Sequence, residues 1–126
     1  MSYVLGLRTV TVFSMFAPQA LTVTTNGASV DMKGTSSGGE HEQRLHYNIP
    51  TVTGTTPTLT LQVQDSPDNA TFTNVINAVT GTITTTAVGD LYFKSQNRYL
   101  RVVATAGGTT PSFTLSVDLY ETLRNV

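Results

Sequence analysis

Apolar and polar residues alternate along most of this chain. In LTLQVQ, Leu59, Leu61 and Val63 fall on one side and Thr60, Gln62 and Gln64 on the other. FTLSVDLYE repeats the pattern, with Phe113, Leu115, Val117 and Leu119 opposite Thr114, Ser116 and Asp118. LRTVTVFSMF and LTVTT read similarly. A period of two marks a strand with one buried face, and no window of a dozen residues carries a helical stripe. Thr and Val, both branched at Cβ, favour the same conformation. Turn-forming residues interrupt the runs at Pro18, Asn26-Gly27, Gly34 to Gly39, Pro50, Gly54 to Pro57, Ser66 to Asn69, Gly81, Gly89-Asp90, Gln96-Asn97 and Gly107 to Pro111. Between them the pattern predicts roughly eight to ten strands. They fall near residues 3–16, 20–25, 28–33, 43–49, 58–65, 71–76, 79–86, 91–95, 98–106 and 112–121. Many short strands with frequent turns predict an all-β antiparallel sandwich, jelly-roll or Ig-like, without significant helix.

One stretch is written twice. GTTPTLTLQV runs from Gly54 to Val63 and GTTPSFTLSV from Gly108 to Val117, identical at seven of ten positions. Pro57 and Pro111 each precede a strand, where a missing N–H falls outside the ladder. The repeat therefore reads as one strand-starting device used twice. Its two strands should be neighbours, or facing equivalents, in one core, with Leu59, Leu61, Val63, Phe113, Leu115 and Val117 buried. Ser66-Pro67-Asp68-Asn69 has tight-turn chemistry and predicts a hairpin, after which Phe72 can pack back onto Leu61 or Val63.

Length changes little in this picture: 126 residues and 13.5 kDa suit one domain, residues 1–126. Charge changes more. Charged residues make up 12% of the chain and the net charge is −1, so no basic face exists to read nucleic acid. A surface of Thr, Ser, Asn, Gln and Gly repels copies of itself weakly and suits a fixed assembly. With no Cys, neither a disulfide framework nor a Cys-based zinc site can form. The most apolar stretch, VLGLRTVTVFSMFAP, is broken by Arg8 and several Thr, which argues against a membrane span. It also lacks the basic start and cleavage site of a secretory signal.

Candidate chemistry is sparse. GTSSG, Gly34 to Gly38, matches the nucleophile-elbow spacing around Ser36, but Gly- and Ser-rich text surrounds it and no helix follows. The segment Gly34 to Gly39, with Ser36 and Ser37, reads instead as an exposed loop and an attachment candidate. In EHEQRLH, His41 and His46 are separated by an odd number and point to opposite faces of a strand, which disfavours a metal site. Asp65, Asp68 and Asn69 could offer oxygens to calcium, but the turn accounts for them. Arg98 and Arg101 fall on opposite faces, and one could pair with Asp90, Asp118 or an acidic neighbouring subunit. No catalytic, cofactor or metal residue emerges, and the chain reads as a non-enzyme.

Two blocks carry a family resemblance. The first is Gly54-Thr55-Thr56-Pro57-Thr58-Leu59 with Val63-Gln64-Asp65-Ser66-Pro67-Asp68-Asn69 and Phe72. The second is Tyr99-Leu100-Arg101-Val102-Val103-Ala104-Thr105 with Gly107-Gly108-Thr109-Thr110-Pro111-Ser112-Phe113-Thr114. Over roughly residues 50–120 the chain resembles small β-rich virion proteins of tailed bacteriophages and prophages, in particular head decoration, or cement, proteins. The resemblance implies a capsid-surface protein, made in the host cytoplasm, that bridges major capsid protein subunits without membrane or nucleic-acid contact. The alternative it leaves open is a receptor- or carbohydrate-binding module of a tail fibre or baseplate, with an exposed Tyr in place of the absent Trp.

The N-terminal segment sharpens the assembly expectation. Val10 and Val12 face one way on a strand while Phe13 and Met15 face the other, with Phe16 beyond, so burial on both faces is expected. Residues 1–16 are thus read as a strand or arm that touches a neighbouring subunit. The interface candidates are Val10, Val12, Phe13, Met15, Phe16, Ser36, Ser37, Arg98 and Arg101. The expected assembly is a homo-oligomer, a trimer on the resemblance to decoration proteins.

Overall fold

Two long strands organise the molecule. The fold is that of a computed structural model, which describes residues 8–32, 40–95 and 97–124. Its strands are β1 (Arg8–Leu21), β2 (Thr25–Asn26), β3 (Val30–Asp31), β4 (Glu40–Ser66), β5 (Thr73–Val79), β6 (Ala87–Phe93) and β7 (Tyr99–Arg124), with no helix among the described residues. β4 has 27 residues and β7 has 26. They pair antiparallel from Glu40 opposite Arg124 to Ser66 opposite Tyr99. Ladders of that length cannot stay flat over a small core, and both strands turn a corner at their GTT.

The corners explain the repeat. Gly54 has φ 114 and Thr56 φ 47; Gly108 has φ 106 and Thr110 φ 47. The two corners meet, with Thr55 opposite Thr109. A Cβ on Gly54 would lie 2.7 Å from the Thr110 carbonyl oxygen, and one on Gly108 would lie 2.5 Å from that of Thr56. Both the positive φ and the close approach therefore require glycine. The pair Leu59–Ala106 is matched by Phe113–Val52, and Thr58–Gly107 by Ser112–Thr53. Those matches define a local two-fold axis between β4 and β7. Each strand contributes one copy of the decapeptide, and antiparallel pairing brings the copies together.

Beyond the corners the sheet becomes two layers. The first contains β1, residues 111–124 of β7, residues 40–53 of β4, and β6. The second contains β2 and β3, residues 99–107 of β7, residues 58–66 of β4, and β5. Alternate residues of both layers join one apolar cluster, including Leu45, Ile49, Leu59, Leu61, Val63, Leu100, Val102, Phe113, Leu115, Val117 and Leu119. None of those is more than 1% exposed, because the two layers cover each other's inner faces. The all-β antiparallel architecture and the burial expected of the repeated strands are both found.

The strand inventory differs in informative ways. Segments 43–49 and 58–65 are one strand, as are 98–106 and 112–121, because the GTT corner carries the ladder through instead of breaking it. Residues 79–86 are not a strand: β5 ends at Val79, and Ile83 makes an isolated bridge to Leu59. Thr80 Oγ1 accepts the Leu61 N–H at 3.0 Å there, standing in for a strand neighbour. In β1 the register slips between Ser14 and Phe16, so Met15 and Phe16 both turn inward.

The Ser66–Asn69 hairpin forms as expected. Asp68 Oδ1 accepts the backbone N–H groups of Ala70 and Thr71 at 2.9 and 3.0 Å and the Ser66 hydroxyl at 2.8 Å, while Asn69 takes φ 61. These donors, Thr71 first, hold the Asp68 carboxyl down at about 2. Phe72 is a correction: it lies under the Arg101 guanidinium at 4.2 Å and belongs neither to the core nor to the residues packed on it.

Candidate interaction surface

Register places four side chains in one row across the outer face of the first layer. Val12 on β1 stands opposite Tyr120 on β7, Tyr120 opposite Arg44 on β4, and Arg44 opposite Tyr92 on β6. Val12 is 53% exposed and Tyr92 66%. The Arg44 guanidinium lies 4.4 Å over the Tyr120 ring. Val10 and Val88 lie on the same face and are exposed as well. The adjacent row is Ser14, Asp118, His46 and Asp90. The Asp90 carboxylate holds His46 Nδ1 at 2.8 Å and Arg44 Nη1 at 3.4 Å. Arg44 is thus fixed from two sides, by a ring beneath and a carboxylate beside it. Tyr and Arg pre-positioned among exposed apolar groups are the residue types that anchor protein interfaces.

The expected interface residues divide three ways. Val10 and Val12 lie on this face. Phe13 packs on the core, and Met15 and Phe16 lie within it, so those three serve the chain's own sandwich. Ser36, Ser37 and the N-terminal residues 1–7 fall outside the described residues. The points from which those two segments depart are nevertheless fixed. Arg8, Arg124 and Glu40 are register neighbours at the end of the sandwich opposite the GTT corners.

The arginines are also reassigned. Arg98 grips Asp31 through two hydrogen bonds of 2.7 and 2.8 Å, and this contact raises its pKa further. Asp31 on β3, not Asp90 or Asp118, is its acid, since β3 crosses beside Tyr99. Arg101 donates to Gln64 Oε1 at 2.9 Å on the second layer's outer face. The sequence offers Tyr92 and Tyr120 only among the exposed tyrosines of a sugar-binding reading and does not single out Arg44. Each stands alone on its own strand, and only the cross-strand register brings the three together.

A cleft opens where the edges of the two layers, β5 and β6, face each other. The β5 ladder bulges: Gln62 pairs with Val79 and Gln64 with Asn74, so β5 advances five residues while β4 advances two. Asn77 adopts φ 58 at the bulge. Gln62 Nε2 braces it from beneath, 2.7 Å from the Val63 carbonyl, 3.2 Å from that of Ala78 and 3.3 Å from that of Val75. The result thrusts Ile76 into solvent, 82% exposed. Ile76, Asn77, Tyr92, Phe93, Lys94 and Gln43 line a cleft of about 440 Å³. Behind it Gln43 Oε1 accepts the Ser95 N–H at 2.6 Å, and Glu121 stands opposite Gln43 with 1% exposure. Burial pushes the Glu121 carboxyl up to about 7, and the Gln43 amide partly opposes the rise.

Among the described residues no three His, Asp or Glu side chains gather to hold a metal. No helix there is long and apolar enough to cross a membrane. No protein-family model and no curated protein matches the chain. Among solved structures, the crystal structure of the SPBc2 prophage-derived protein YomS is similar, with a TM-score of 0.56 at 13% identity. The alignment covers 98% of this chain and 100% of that one, so this all-β fold extends over the full length of a prophage-derived protein.

Proposed function

We propose that this chain is a non-enzymatic structural protein of a tailed-phage particle, specifically a decoration protein that cements the head by bridging major capsid protein subunits. The observation that carries the reading is the Val12–Tyr120–Arg44–Tyr92 row, which crosses every strand of one layer and exposes apolar and aromatic groups at both ends. The likeness in fold to a prophage-derived protein supports a phage origin. The low charge of the chain suits attachment to a fixed lattice. Cementing needs no chemistry. Each docked copy adds buried area, about 1,600 Å² for an interface of standard size, and opening the shell must expose it again. High copy number multiplies a modest gain per site.

The test is co-sedimentation of purified protein with assembled shells that lack it. Wild type should sediment with the shells, and Val10→Asp and Val12→Asp should stay in the supernatant with unchanged melting temperatures. Binding that survives both substitutions refutes the docking face, and failure of wild type to bind refutes the head location. The exposed Tyr92 ring beside a cleft favours one other reading, a glycan- or receptor-binding module of a tail fibre or baseplate. Wild type that ignores shells yet binds host surface polysaccharide would establish that reading instead.

A further inference from the structure

We infer that the cleft between β5 and β6 receives residues 1–7 of a second copy of this chain, so that copies join by exchanging their N-terminal segments. The first ground is the cleft. A bulge, braced by two contacts from Gln62 to the Val75 and Ala78 carbonyls, holds Ile76 out in water beside Tyr92 and Phe93. Bulges of this kind re-aim a side chain, and this one aims a bare isoleucine at an unfilled space.

The second ground is where the chain outside the described residues begins, and how long it is. Thr11, Glu121, Gln43 and Phe93 share one level across β1, β7, β4 and β6. β1 and β6 are therefore opposite edges of the same layer, three strand spacings or about 14 Å apart. The segment leaves β1 three residues beyond that level, at the end of the sandwich where the cleft lies. Seven extended residues reach about 23 Å, enough to enter a cleft on an adjoining copy. The third ground is chemistry. MSYVLGL contains Tyr3, Val4, Leu5 and Leu7 and no charged side chain, matching a lining of Ile76, Tyr92 and Phe93. Donor at one edge and acceptor at the opposite edge let every copy both give and receive a segment, in a reciprocal pair or a larger ring. The inference concerns the purified chain in solution, so it stands or falls independently of where a particle carries the protein.

The absence of Cys makes the test clean, because each introduced thiol is the only one in its chain. Chains carrying Val4→Cys and chains carrying Ile76→Cys are mixed and oxidised. The expected product is a disulfide-linked pair containing one of each, from a parent that light scattering finds to be an oligomer. Val4→Cys mixed with Val88→Cys, a position exposed on the outer face, should not link. Ile76→Asp should convert the oligomer to a folded monomer. The inference is overturned by a monomeric wild type, by equal linking to Val88→Cys, or by no linking at all. It is also overturned if the double variant Val4→Cys/Ile76→Cys closes within one chain while the mixed single variants stay unlinked.

Discussion

Replacing Gly54 or Gly108 by alanine tests the corner from which the whole sandwich follows. At φ 114 and 106 an L-residue is strained, and the added methyl would sit 2.7 or 2.5 Å from a carbonyl oxygen of the opposing corner. Strain of this kind costs about 1–3 kcal/mol. The contact is with backbone, which cannot rotate away, so a total of about 3 kcal/mol for each substitution is expected. For a domain of this length that corresponds to roughly 10 °C in melting temperature. The local two-fold adds a sharper requirement. The two methyl groups push apart the same pair of corners, so the double variant should cost less than the two single costs combined, by about 1 kcal/mol or more. Gly81 supplies the control: nothing lies within 4 Å of a Cβ there, and Gly81→Ala should stay within about 0.5 kcal/mol of wild type. Urea unfolding followed by circular dichroism measures all four. A neutral Gly54→Ala, or a large effect at one glycine and none at the other, would refute the equivalence of the corners.

Three further outcomes are expected. Glu121 binds its proton more tightly folded than unfolded, so stability should fall as pH rises from about 4.5 through about 7; Glu121→Gln should abolish that fall, a difference of about 3 kcal/mol at pH 8 by denaturant titration. Asp68 is shifted the other way, so its contribution is present above pH 4 and is lost as pH falls toward 2; in Asp68→Ala the acid limb of the stability profile should flatten. Gln62→Ala leaves the bulge carbonyls of Val75 and Ala78 without their donor, costing about 1–3 kcal/mol and raising amide exchange selectively in β5.

The sequence made the class of fold legible because period two is a local property. Leu59, Leu61, Val63, Phe113, Leu115 and Val117 could be assigned to the core without knowing what they faced. The repeat was legible as a device but not as a corner, because a Gly-Thr-Thr that ends a ladder and one that bends it read alike. What separates them is the partner strand, and Thr55 meets Thr109 only once the register is set. The same limit hid the Tyr–Arg row on the outer face. Val12, Arg44, Tyr92 and Tyr120 are far apart in sequence and become neighbours only through three separate strand pairings. Met15 and Phe16 misled for a smaller reason: a one-residue slip in β1 turned both inward, where strict alternation would have sent one outward.

The bent β4 and β7 also set how the molecule bears force. In a sandwich of two separate sheets, a pull that parts the layers is resisted only by side chains meeting across the core, which give way one after another. Here two strands cross from one layer to the other as unbroken backbone, hydrogen-bonded to each other on both sides of the corner. Tension between a partner held on one layer and a partner held on the other runs along those strands. Parting the layers therefore requires both strands to unbend together at the corner.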